Sequence, residues 1–566
     1  MQRCKCWLLL WIHACNSLVG CTREIGSESL TGKLQFEAAA EWEVEREQEE
    51  LHIDRRPPPT DEERRKYMKQ ELPALPLDFM ERSAHYNLQL NESCAPFPKF
   101  LELEFHNNYW QVHRSGALSF YLYGAYYDNR TAVVSREGVK LVRILAMVSE
   151  IDLKYEDFPP SYCQIWYEEF DKPRIVLVRN YREIWYSDWC KGPNLLYATW
   201  VECSLHEEKK EEKEEEVGEG WRDLVPKAVS LVASPCARAT NSLRVIYEPA
   251  DEQRGGFAVC STGLYNPYRD NSVRLVEWLE LLHLLGAEHV SLPTFGIHPN
   301  ATKVLRYYER EGFVSAPGIS LVRGEPALPH FTHEVIKRDS CNHMVNEIIP
   351  LNDCLCRNMY KYDYVAVFDI DEVIIPLGKL RNWRELAQNA AEDVRADNCN
   401  EGASSLCFCN VYYPAYPERK PYSTDAPTYM YMLQHVARVA EHLEPFKATK
   451  CFHNTQFVTS LHNHYALDWV ASCGMRSVNV TLGQMQHYRE PDIAETLENP
   501  VIDDVIWRYK EPLVPRTQAV LRKLGLLRRV QVRGGERNSQ ETAEIRVPQS
   551  LEKEAIKDSL AVRGEL

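Results

Sequence analysis

The chain has 566 residues, a formal net charge of −16 and a hydrophobic content of 44%. This length allows two or three domains with sizeable cores, and the composition is typical of a globular protein. The excess of acidic residues argues against nucleic acid as a partner, because binding to phosphates needs a basic surface.

The N-terminus resembles a targeting signal. Arg3 and Lys5 precede the apolar segment 6–19, which is shorter than the roughly 20 residues needed to cross a bilayer core. Residues 1–21 are therefore predicted to form a signal peptide or a short signal anchor, with the body of the protein in the lumen. If the segment is retained, the protein is a single-pass type II membrane protein; if it is cleaved, the protein is secreted.

The cysteines agree with an oxidising compartment. Of the 18 cysteines, fourteen lie between Cys94 and Cys473, and none forms a CxxC pair of zinc spacing. A disulfide framework is therefore predicted, although the sequence leaves its connectivity open. Four N-glycosylation sequons point the same way, at Asn91, Asn129, Asn300 and Asn479.

The first 250 residues divide into two parts. Residues 22–90 are charged and contain three consecutive prolines at 57–59, which predicts a stem or linker. Residues 91–250 carry short strand-like segments separated by turn residues, which predicts a small β-rich domain. An acidic run within residues 205–220 is expected to be a surface loop on it. Four tryptophans of this part are expected to pack in the core, with a sugar-stacking platform as the alternative: Trp166, Trp185, Trp189 and Trp200.

From Gly256 onward, strand and helix patterns alternate. Strand-like segments at 257–262, 289–292 and 313–314 alternate with helical patterns over 273–285, 299–310 and 344–360. The alternation predicts an α/β domain with a Rossmann-like, mainly parallel sheet. No G-x-G-x-x-G follows the first strand, and no G-x-x-x-x-G-K-S/T occurs, so neither a dinucleotide site nor a P-loop is expected.

The stretch Tyr362 to Pro376, YDYVAVFDIDEVIIP, carries the strongest chemical signal. It begins as a buried strand and meets three carboxylates, Asp369, Asp371 and Glu372. These charges would repel one another without a cation nearby, and divalent metals prefer carboxylate oxygens. Because ligands bind beyond the carboxyl ends of strands in α/β sheets, we expect a metal-assisted ligand site here, with a solvated acidic turn as the alternative.

The segment from Gly256 to Pro500 resembles glycosyltransferase family 92. The resemblance rests on the ordered motifs FAVCSTGLYN, VRLVEWLELLHLLGAEHV, IIPLNDCLCRNMYKYDYVAVFDIDEVIIP, KCFHNTQFVTSLHNHYAL and QHYRE. It implies a GT-A-like nucleotide-diphospho-sugar transferase domain over residues 256–500, followed by a tail over 501–566. It also implies a Golgi membrane protein with a lumenal catalytic domain. The implied reaction is inverting β-1,4-galactosyl transfer, dependent on Mn²⁺ or Mg²⁺, from UDP-galactose to a glycan acceptor such as fucose on N-glycan cores.

The resemblance assigns the metal and the donor sites. Asp369 and Asp371 match the metal-binding DxD of the family, and His487 stands where many GT-A enzymes supply a third metal ligand. Glu372 either supports the metal site from behind or caps the following turn. The resemblance also implies donor-binding roles for four residues, with packing or ion pairing as the alternative: Asn352, Asp353, Lys450 and Arg489.

The acceptor side is less defined. His462 and His464 face the same way on an extended segment, where they line the acceptor pocket or pack in the core. An inverting transfer needs one general base to take the proton of the acceptor hydroxyl. Four carboxylates are candidates, with Glu490 and Asp468 ranked ahead of Glu441 and Glu444.

Two alternatives use the same sequence differently. Residues 368–373 also fit the D-x-D-x-V/T motif of haloacid-dehalogenase-like phosphatases, with Asp369 as nucleophile and Asp371 as acid and base. That fold carries the motif on the first strand of its core domain, whereas a full α/β half precedes it here. The second alternative is a non-catalytic lumenal glycan-binding protein.

Overall fold

The computed structural model describes residues 57–82, 94–205, 224–250, 254–322, 326–396, 399, 401–415, 425–491 and 499–528. The predicted N-terminal signal, most of the acidic loop and the end of the chain lie outside these residues, as does the sequon at Asn91. Within them, no helix combines the length and the apolar composition that a membrane span requires.

The described part of the predicted linker contains two helices, α1 (Asp61–Glu71) and α2 (Leu77–Arg82). Thr60 and Glu63 form a capping box at the start of α1, in which each side chain accepts a hydrogen bond from the backbone of the other. This part of the predicted linker packs against the β-rich region. Four of its residues are buried beside Phe97 and Trp166, namely Leu75, Leu77, Phe79 and Met80.

A sheet that closes on itself follows. Its strands in the described residues are β1 (Phe105–Asn107), β2 (Trp110–Ser115), β3 (Leu118–Asp128), β4 (Leu141–Val148), β5 (Tyr162–Trp166), β6 (Arg174–Glu183), β7 (Tyr197–Ser204), β8 (Ala228–Val232) and β9 (Leu243–Ile246). Their order is β1-β2-β3-β4-β7-β6-β5-β8-β9, and β9 also pairs with β3. Helix α3 (Thr131–Glu137) connects β3 to β4. The predicted β-rich character of this region is confirmed.

The second region combines helices with a seven-stranded sheet. Its described helices are α4 (Ser272–Leu285), α5 (Pro299–Arg310), α6 (Pro329–Arg338), α7 (Ser340–Asn358), α8 (Trp383–Ala396), α9 (Tyr431–Gln434) and α10 (Lys510–Lys523). Its described strands are β10 (Phe257–Cys260), β11 (Ala287–Ser291), β12 (Val314–Ser315), β13 (Tyr364–Val367), β14 (Glu372–Pro376), β15 (Ala403–Phe408), β16 (Asn410–Tyr412), β17 (Ala437–Arg438), β18 (Lys450–Asn454), β19 (Val458–Leu461), β20 (Ala466–Trp469), β21 (Cys473–Ser477), β22 (Gly483–His487) and β23 (Val501–Ile502).

The seven-stranded sheet is mixed, in the order β12-β11-β10-β13-β18-β15-β21. The first four strands are parallel, as the alternation of strand and helix predicts. β18 runs antiparallel to both of its neighbours, and β21 is parallel to β15. The expectation of a mainly parallel sheet therefore holds for the half that contains β13 and needs correction for the other half.

The stretch from Tyr362 to Pro376 contains two strands, and the predicted end of the first strand before Asp369 is confirmed. β13 ends at Val367, the chain turns through Asp369 to Asp371, and β14 begins at Glu372. β14 is not part of the seven-stranded sheet; it pairs with β22 in a separate sheet of order β14-β22-β16. The acidic turn therefore sits where the chain passes from one sheet to another.

Helix α7 packs between the closed sheet and the mixed sheet. Alternate residues of β4 face opposite ways: Ile144 packs inside the closed sheet, whereas Leu145 packs in one cluster with Ile348 of α7. All eight residues of β4 are buried, as is typical of a strand covered on both faces. The other face of α7 packs against β10 and β13 through Leu351 and Leu355.

Six disulfides confirm the predicted framework. They join Cys94 to Cys236, Cys163 to Cys203, Cys190 to Cys341, Cys260 to Cys354, Cys399 to Cys473 and Cys407 to Cys451. Cys354 and Cys407 form disulfides, whereas Cys356 and Cys409, each two residues further along the chain, are buried thiols. The bond between Cys190 and Cys341 links the closed sheet covalently to the start of α7.

Candidate active site

A cavity of about 320 Å³ lies where the chain turns from β13 into β14. β10 and β13 are parallel neighbours, so the loops that follow them leave the same edge of the sheet. Residues of the loop after β10, of helix α7 and of strand β22 line the same cavity as Asp369 and Asp371. The cavity therefore occupies the carboxyl edge of the parallel strands, where α/β proteins bind ligands.

Different neighbours hold the two carboxylates of the DxD motif. The Thr262 hydroxyl donates to Asp369 Oδ1 over 3.1 Å and ties this carboxylate to the loop after β10. Asp371 Oδ2 lies 4.0 Å from Arg274 Nη2 and 3.9 Å from His487 Nε2. Burial raises the pKa of Asp371, and the charge of Asp369 adds to the effect while Arg274 opposes it.

Glu372 and Lys450 form a buried ion pair behind this turn. Lys450 Nζ lies 2.8 Å from Glu372 Oε2 and 3.5 Å from Asp369 Oδ2, and neither Lys450 nor Glu372 is more than 1% exposed. Burial raises the pKa of Glu372 to about 7; Lys450 lowers it, and Asp369 and Asp371 raise it further. Burial disfavours the charged form of Lys450, but the pKa of the amine is raised because Glu372 and Asp369 outweigh that effect. Lys450 therefore neutralises the acidic turn from within the protein.

Strand pairing brings His487 to the same place. In the antiparallel pair of β14 and β22, His487 stands directly opposite Glu372, and its Nδ1 lies 3.6 Å from Glu372 Oε1. The ring stacks on Tyr412, with centroids 5.3 Å apart. The Arg489 guanidinium lies 5.5 Å from the centroid of the same tyrosine ring. His487 and Arg489 both line the cavity, so the predicted C-terminal contribution to the site is brought together with the DxD turn.

The donor atoms at this turn suit a divalent cation. Among the described residues, no group of three or more His, Cys, Asp or Glu side chains converges closely enough to hold a metal ion. Asp371 and His487 nevertheless supply a carboxylate and an imidazole within 3.9 Å of each other, with Asp369 in the same turn. Metals that act on phosphates use one or two carboxylates and take their remaining ligands from the substrate and water. The residues therefore fit a cation shared with a bound diphosphate, and their role as ligands stays a prediction.

Asn352 and Asp353 do not reach the cavity. Asn352 is fully buried and exchanges hydrogen bonds with the backbone of Leu461. Asp353 binds Arg357 and accepts a hydrogen bond from Tyr126 of the closed sheet. The expectation that they bind the nucleotide is not supported, because both lie on faces of α7 that pack against protein.

The predicted general bases also lie elsewhere. Asp468 is 2.5 Å from Arg182 of β6 and accepts from the Thr459 hydroxyl, so it connects β20 to the closed sheet. Glu490 accepts from the backbone of Ala415, and its pKa is raised by burial. Neither residue lines the cavity, and the same holds for the exposed Glu441 and Glu444.

The structure adds residues that sequence reasoning missed. Glu347 and His343 of α7 both line the cavity, with Glu347 Oε1 3.2 Å from His343 Nε2. Their spacing of four places them on one face of the predicted helix, but the sequence does not say that this face meets the DxD turn. Arg274 of α4 is a third addition, and it also stacks on the ring of Tyr431, 4.0 Å from the centroid.

The place of the DxD motif bears on the phosphatase alternative. β10, β11 and β12 precede β13 in the same sheet, so Asp369 does not follow the first strand of the core. The phosphatase alternative requires it to do so, and the topology therefore argues against it.

Comparison with known proteins identifies the second region. Residues 255–520 match the family model for Glycosyltransferase family 92. No curated protein matches the sequence of the chain. The matched segment begins just before β10 and includes the cavity, most of α10 and every predicted site residue. The resemblance drawn from the motifs is confirmed.

Proposed function

Since residues 255–520 form a glycosyltransferase family 92 domain, we propose that the protein moves a hexose from a nucleotide-diphosphate donor onto a glycan acceptor with inversion. The observation that carries the proposal is the cavity at the carboxyl edge of the parallel strands, which gathers Asp369, Asp371, His487 and Arg489. The motif resemblance favours UDP-galactose as the donor and fucose on an N-glycan core as the acceptor.

The residues around the DxD turn bind the leaving diphosphate in this proposal. When bound, Mn²⁺ or Mg²⁺ supplies Lewis-acid stabilisation of the negative charge that grows on the diphosphate. Asp369, Asp371 and His487 would hold it. Arg489 lines the cavity and contributes a permanent positive charge there, and Arg274 fixes Asp371 from the side. Lys450 is fully buried, so its role is to neutralise Glu372 rather than to touch the donor.

Glu347 is the general base in this proposal. Four carboxylates line the cavity among the described residues, and Asp369, Asp371 and Glu372 belong to the acidic turn. Glu347 comes instead from α7 and pairs with His343, which orients its carboxylate. It would accept the proton of the acceptor hydroxyl as that oxygen attacks the anomeric carbon and the nucleotide diphosphate leaves.

A lumenal location agrees with this function. Six disulfides are stable in an oxidising compartment and would be reduced in the cytosol. The predicted signal or anchor would deliver the domain to the secretory pathway, and the Golgi is the compartment that the family resemblance implies.

A donor screen of the full-length protein tests the proposal. UDP binding and hydrolysis of UDP-galactose, UDP-glucose and UDP-N-acetylglucosamine would be measured with Mn²⁺ and with EDTA. We expect UDP to bind only with Mn²⁺, and UDP-galactose to be hydrolysed faster than the other two.

Other results of the donor screen would contradict the metal-binding role or favour one of the alternative functions. Metal-independent turnover of UDP-sugars would contradict the metal-binding role, and release of phosphate from p-nitrophenyl phosphate would restore the phosphatase alternative. Mn²⁺-dependent UDP binding without turnover of any donor would indicate a glycan-binding protein that has lost catalysis.

A further inference from the structure

Four aromatic side chains form a continuous group beside the cavity, which we call the aromatic strip: Tyr186, Trp189, His462 and Tyr465. Ring centroids are 4.7 Å apart between Tyr186 and Trp189 and 4.6 Å apart between Trp189 and His462. His462 stacks on Tyr465 at 4.8 Å. The strip joins the loop between β6 and β7 of the closed sheet to the loop between β19 and β20 of the second region.

The strip differs from the other tryptophans of the closed sheet. Trp166, Trp185 and Trp200 are at most 3% exposed, as expected for core residues. Trp189 is only partly buried, and Tyr186 is 54% exposed. The expectation of core packing is confirmed for these three tryptophans, and Trp189 is a partly buried residue that packs against the cluster of Trp185 and Trp200.

The loop that carries Trp189 is firmly held. Trp185 donates from Nε1 to the carbonyl of Cys190 over 3.0 Å, and Lys191 pairs with Asp152. The disulfide between Cys190 and Cys341 fixes the loop to the first turn of α7. A ring held in this way is ordered before a ligand arrives, which lowers the entropic cost of binding.

The strip reaches the cavity by two connections. His462 lies 5.8 Å from His464, measured between ring centroids, and His464 lines the cavity. On the other side, Cys341 lies two residues before His343 and six before Glu347, both of which line the cavity as well. The strip therefore continues the cavity onto the closed sheet, outside the acidic turn.

The chemistry of the strip suits an uncharged ligand. Burial and the charge of Lys450 lower the pKa of His462 to about 4, so this ring is neutral at physiological pH. Aromatic rings offer apolar faces, and Tyr and Trp add one polar group at the edge. A pyranose ring has a matching character, with a face of C–H bonds and hydroxyl groups around its rim.

We propose that the aromatic strip binds a second sugar ring of an oligosaccharide acceptor, one or more residues beyond the sugar that receives the hexose. The inference rests on the proposed function, because it needs a transfer reaction in the adjoining cavity. It assigns the N-terminal closed sheet a part in acceptor choice, through Tyr186 and Trp189. The occupant is an uncharged glycan.

The test compares a short acceptor with a long one, using the full-length protein. The probes are methyl α-fucoside and a released N-glycan core oligosaccharide that carries fucose, each with UDP-galactose and Mn²⁺. The variants are Tyr186→Ala, which removes an exposed ring, and Trp189→Phe and Trp189→Ala, which retain and remove the central ring. Tyr67→Ala is the matched control, because Tyr67 is similarly exposed (52%) but lies on α1.

We expect the wild type to have a lower KM for the oligosaccharide than for methyl α-fucoside. Trp189→Ala should raise the oligosaccharide KM by about tenfold, which is typical of removing an aromatic anchor. Tyr186→Ala should have a smaller effect in the same direction, and Trp189→Phe should retain most of the affinity. The KM for methyl α-fucoside and the rate of UDP-galactose hydrolysis should not change, nor should any value for Tyr67→Ala.

Equal KM values for the two acceptors in the wild type would overturn the inference, and so would an unchanged oligosaccharide KM in both Tyr186→Ala and Trp189→Ala. The same holds if the wild type hydrolyses UDP-galactose but does not use the oligosaccharide. If Trp189→Ala proves unstable, Tyr186→Ala decides. A change from dimer to monomer on Tyr186→Ala, with the KM values unchanged, would assign the strip to a second copy of the chain instead. A wild type without Mn²⁺-dependent UDP binding would instead reject the proposed function itself.

Discussion

Buried carboxylates occur in two regions of the molecule, and their pKa values are shifted in opposite directions. In the closed sheet, Asp128 lies 2.7 Å from Arg130 and 3.2 Å from Arg143, and all three side chains are at most 3% exposed. Burial raises the pKa of Asp128, but the two guanidinium groups outweigh it and lower the pKa to about 2. In the acidic turn, burial raises the pKa of Glu372 to about 7, and Lys450 offsets the effect only in part.

The difference separates a structural cluster from a candidate binding site. Arg130 also donates to the carbonyls of Thr455 and Val458 and so connects the closed sheet to the start of β19. The acidic turn concentrates three carboxylates around one buried amine, and burial of unneutralised charge destabilises a fold. Its remaining negative charge is therefore better explained by a cationic ligand than by stability.

The largest expected effect comes from removing the DxD carboxylates. Asp369→Ala combined with Asp371→Ala should lower glycosyl transfer by about a thousandfold or more, because the Lewis acid contributes several kcal/mol to the transition state. Stability against urea should be unchanged or higher, since the substitutions relieve repulsion with Glu372. Transfer kinetics and urea unfolding measure the two effects.

Asp393→Ala, in an exposed part of α8, is the control for this double variant. It should leave both the rate and the stability unaltered. Substantial transfer by the double variant would reject the proposed site.

The structural cluster should respond in the opposite way. Arg130→Ala leaves Asp128 buried with less compensation, so it should lower the free energy of unfolding by about 3–5 kcal/mol. The fraction that remains folded should bind UDP with unchanged affinity, because Arg130 does not line the cavity. Urea unfolding and UDP titration test this, with the exposed Arg136→Ala as control. A loss of UDP affinity in the folded fraction would contradict the separation of the two regions.

Glu347→Gln probes the acceptor side of the cavity. It should lower kcat by about a hundredfold or more, because the amide cannot take up the acceptor proton. The affinity for UDP with Mn²⁺ should persist, in contrast to the DxD variant. Steady-state kinetics and UDP titration distinguish the two, and Glu334→Gln on α6 is the matched control. Full activity of Glu347→Gln would exclude it as the base.

Local sequence patterns predicted that the acidic turn lies at the carboxyl end of a strand. The apolar run that ends in Asp369 and Asp371 placed the turn at a strand end, and the motif resemblance added His487. The role of Glu372 stayed open between two alternatives, because its partner Lys450 is 78 residues away and comes near only through the antiparallel strand β18. The direction of β18 depends on tertiary packing, which no local pattern specifies.

Helix faces account for the main errors. The pattern over 344–360 predicts α7 correctly, but the helix packs against two sheets and the cavity at once. Asn352 and Asp353 lie on faces of α7 that pack against protein, whereas Glu347, which the sequence did not single out, lies on the face that lines the cavity. Asp468 lies outside the cavity for a related reason, because the hairpin of β19 and β20 brings it to Arg182 of the closed sheet.

The smallest expected effect is the pH dependence of Asp128. Its pKa in the folded protein, about 2, lies below the ordinary 3.8, so its ion pairs contribute stability that is present above pH 3.8 and is lost as pH falls towards 2. The stability difference between the wild type and Asp128→Asn should therefore shrink over this window by on the order of 2 kcal/mol. Urea unfolding at pH 7, 4 and 2 measures this difference, and the exposed Asp188→Asn should follow the wild type throughout. Glu372 should act in the opposite sense. Its pKa is raised, so its protonation as pH falls from 7 to 4.5 removes a buried charge and raises the free energy of unfolding. A difference between the wild type and Asp128→Asn that stays constant with pH would show that the carboxylate charge does not stabilise the closed sheet.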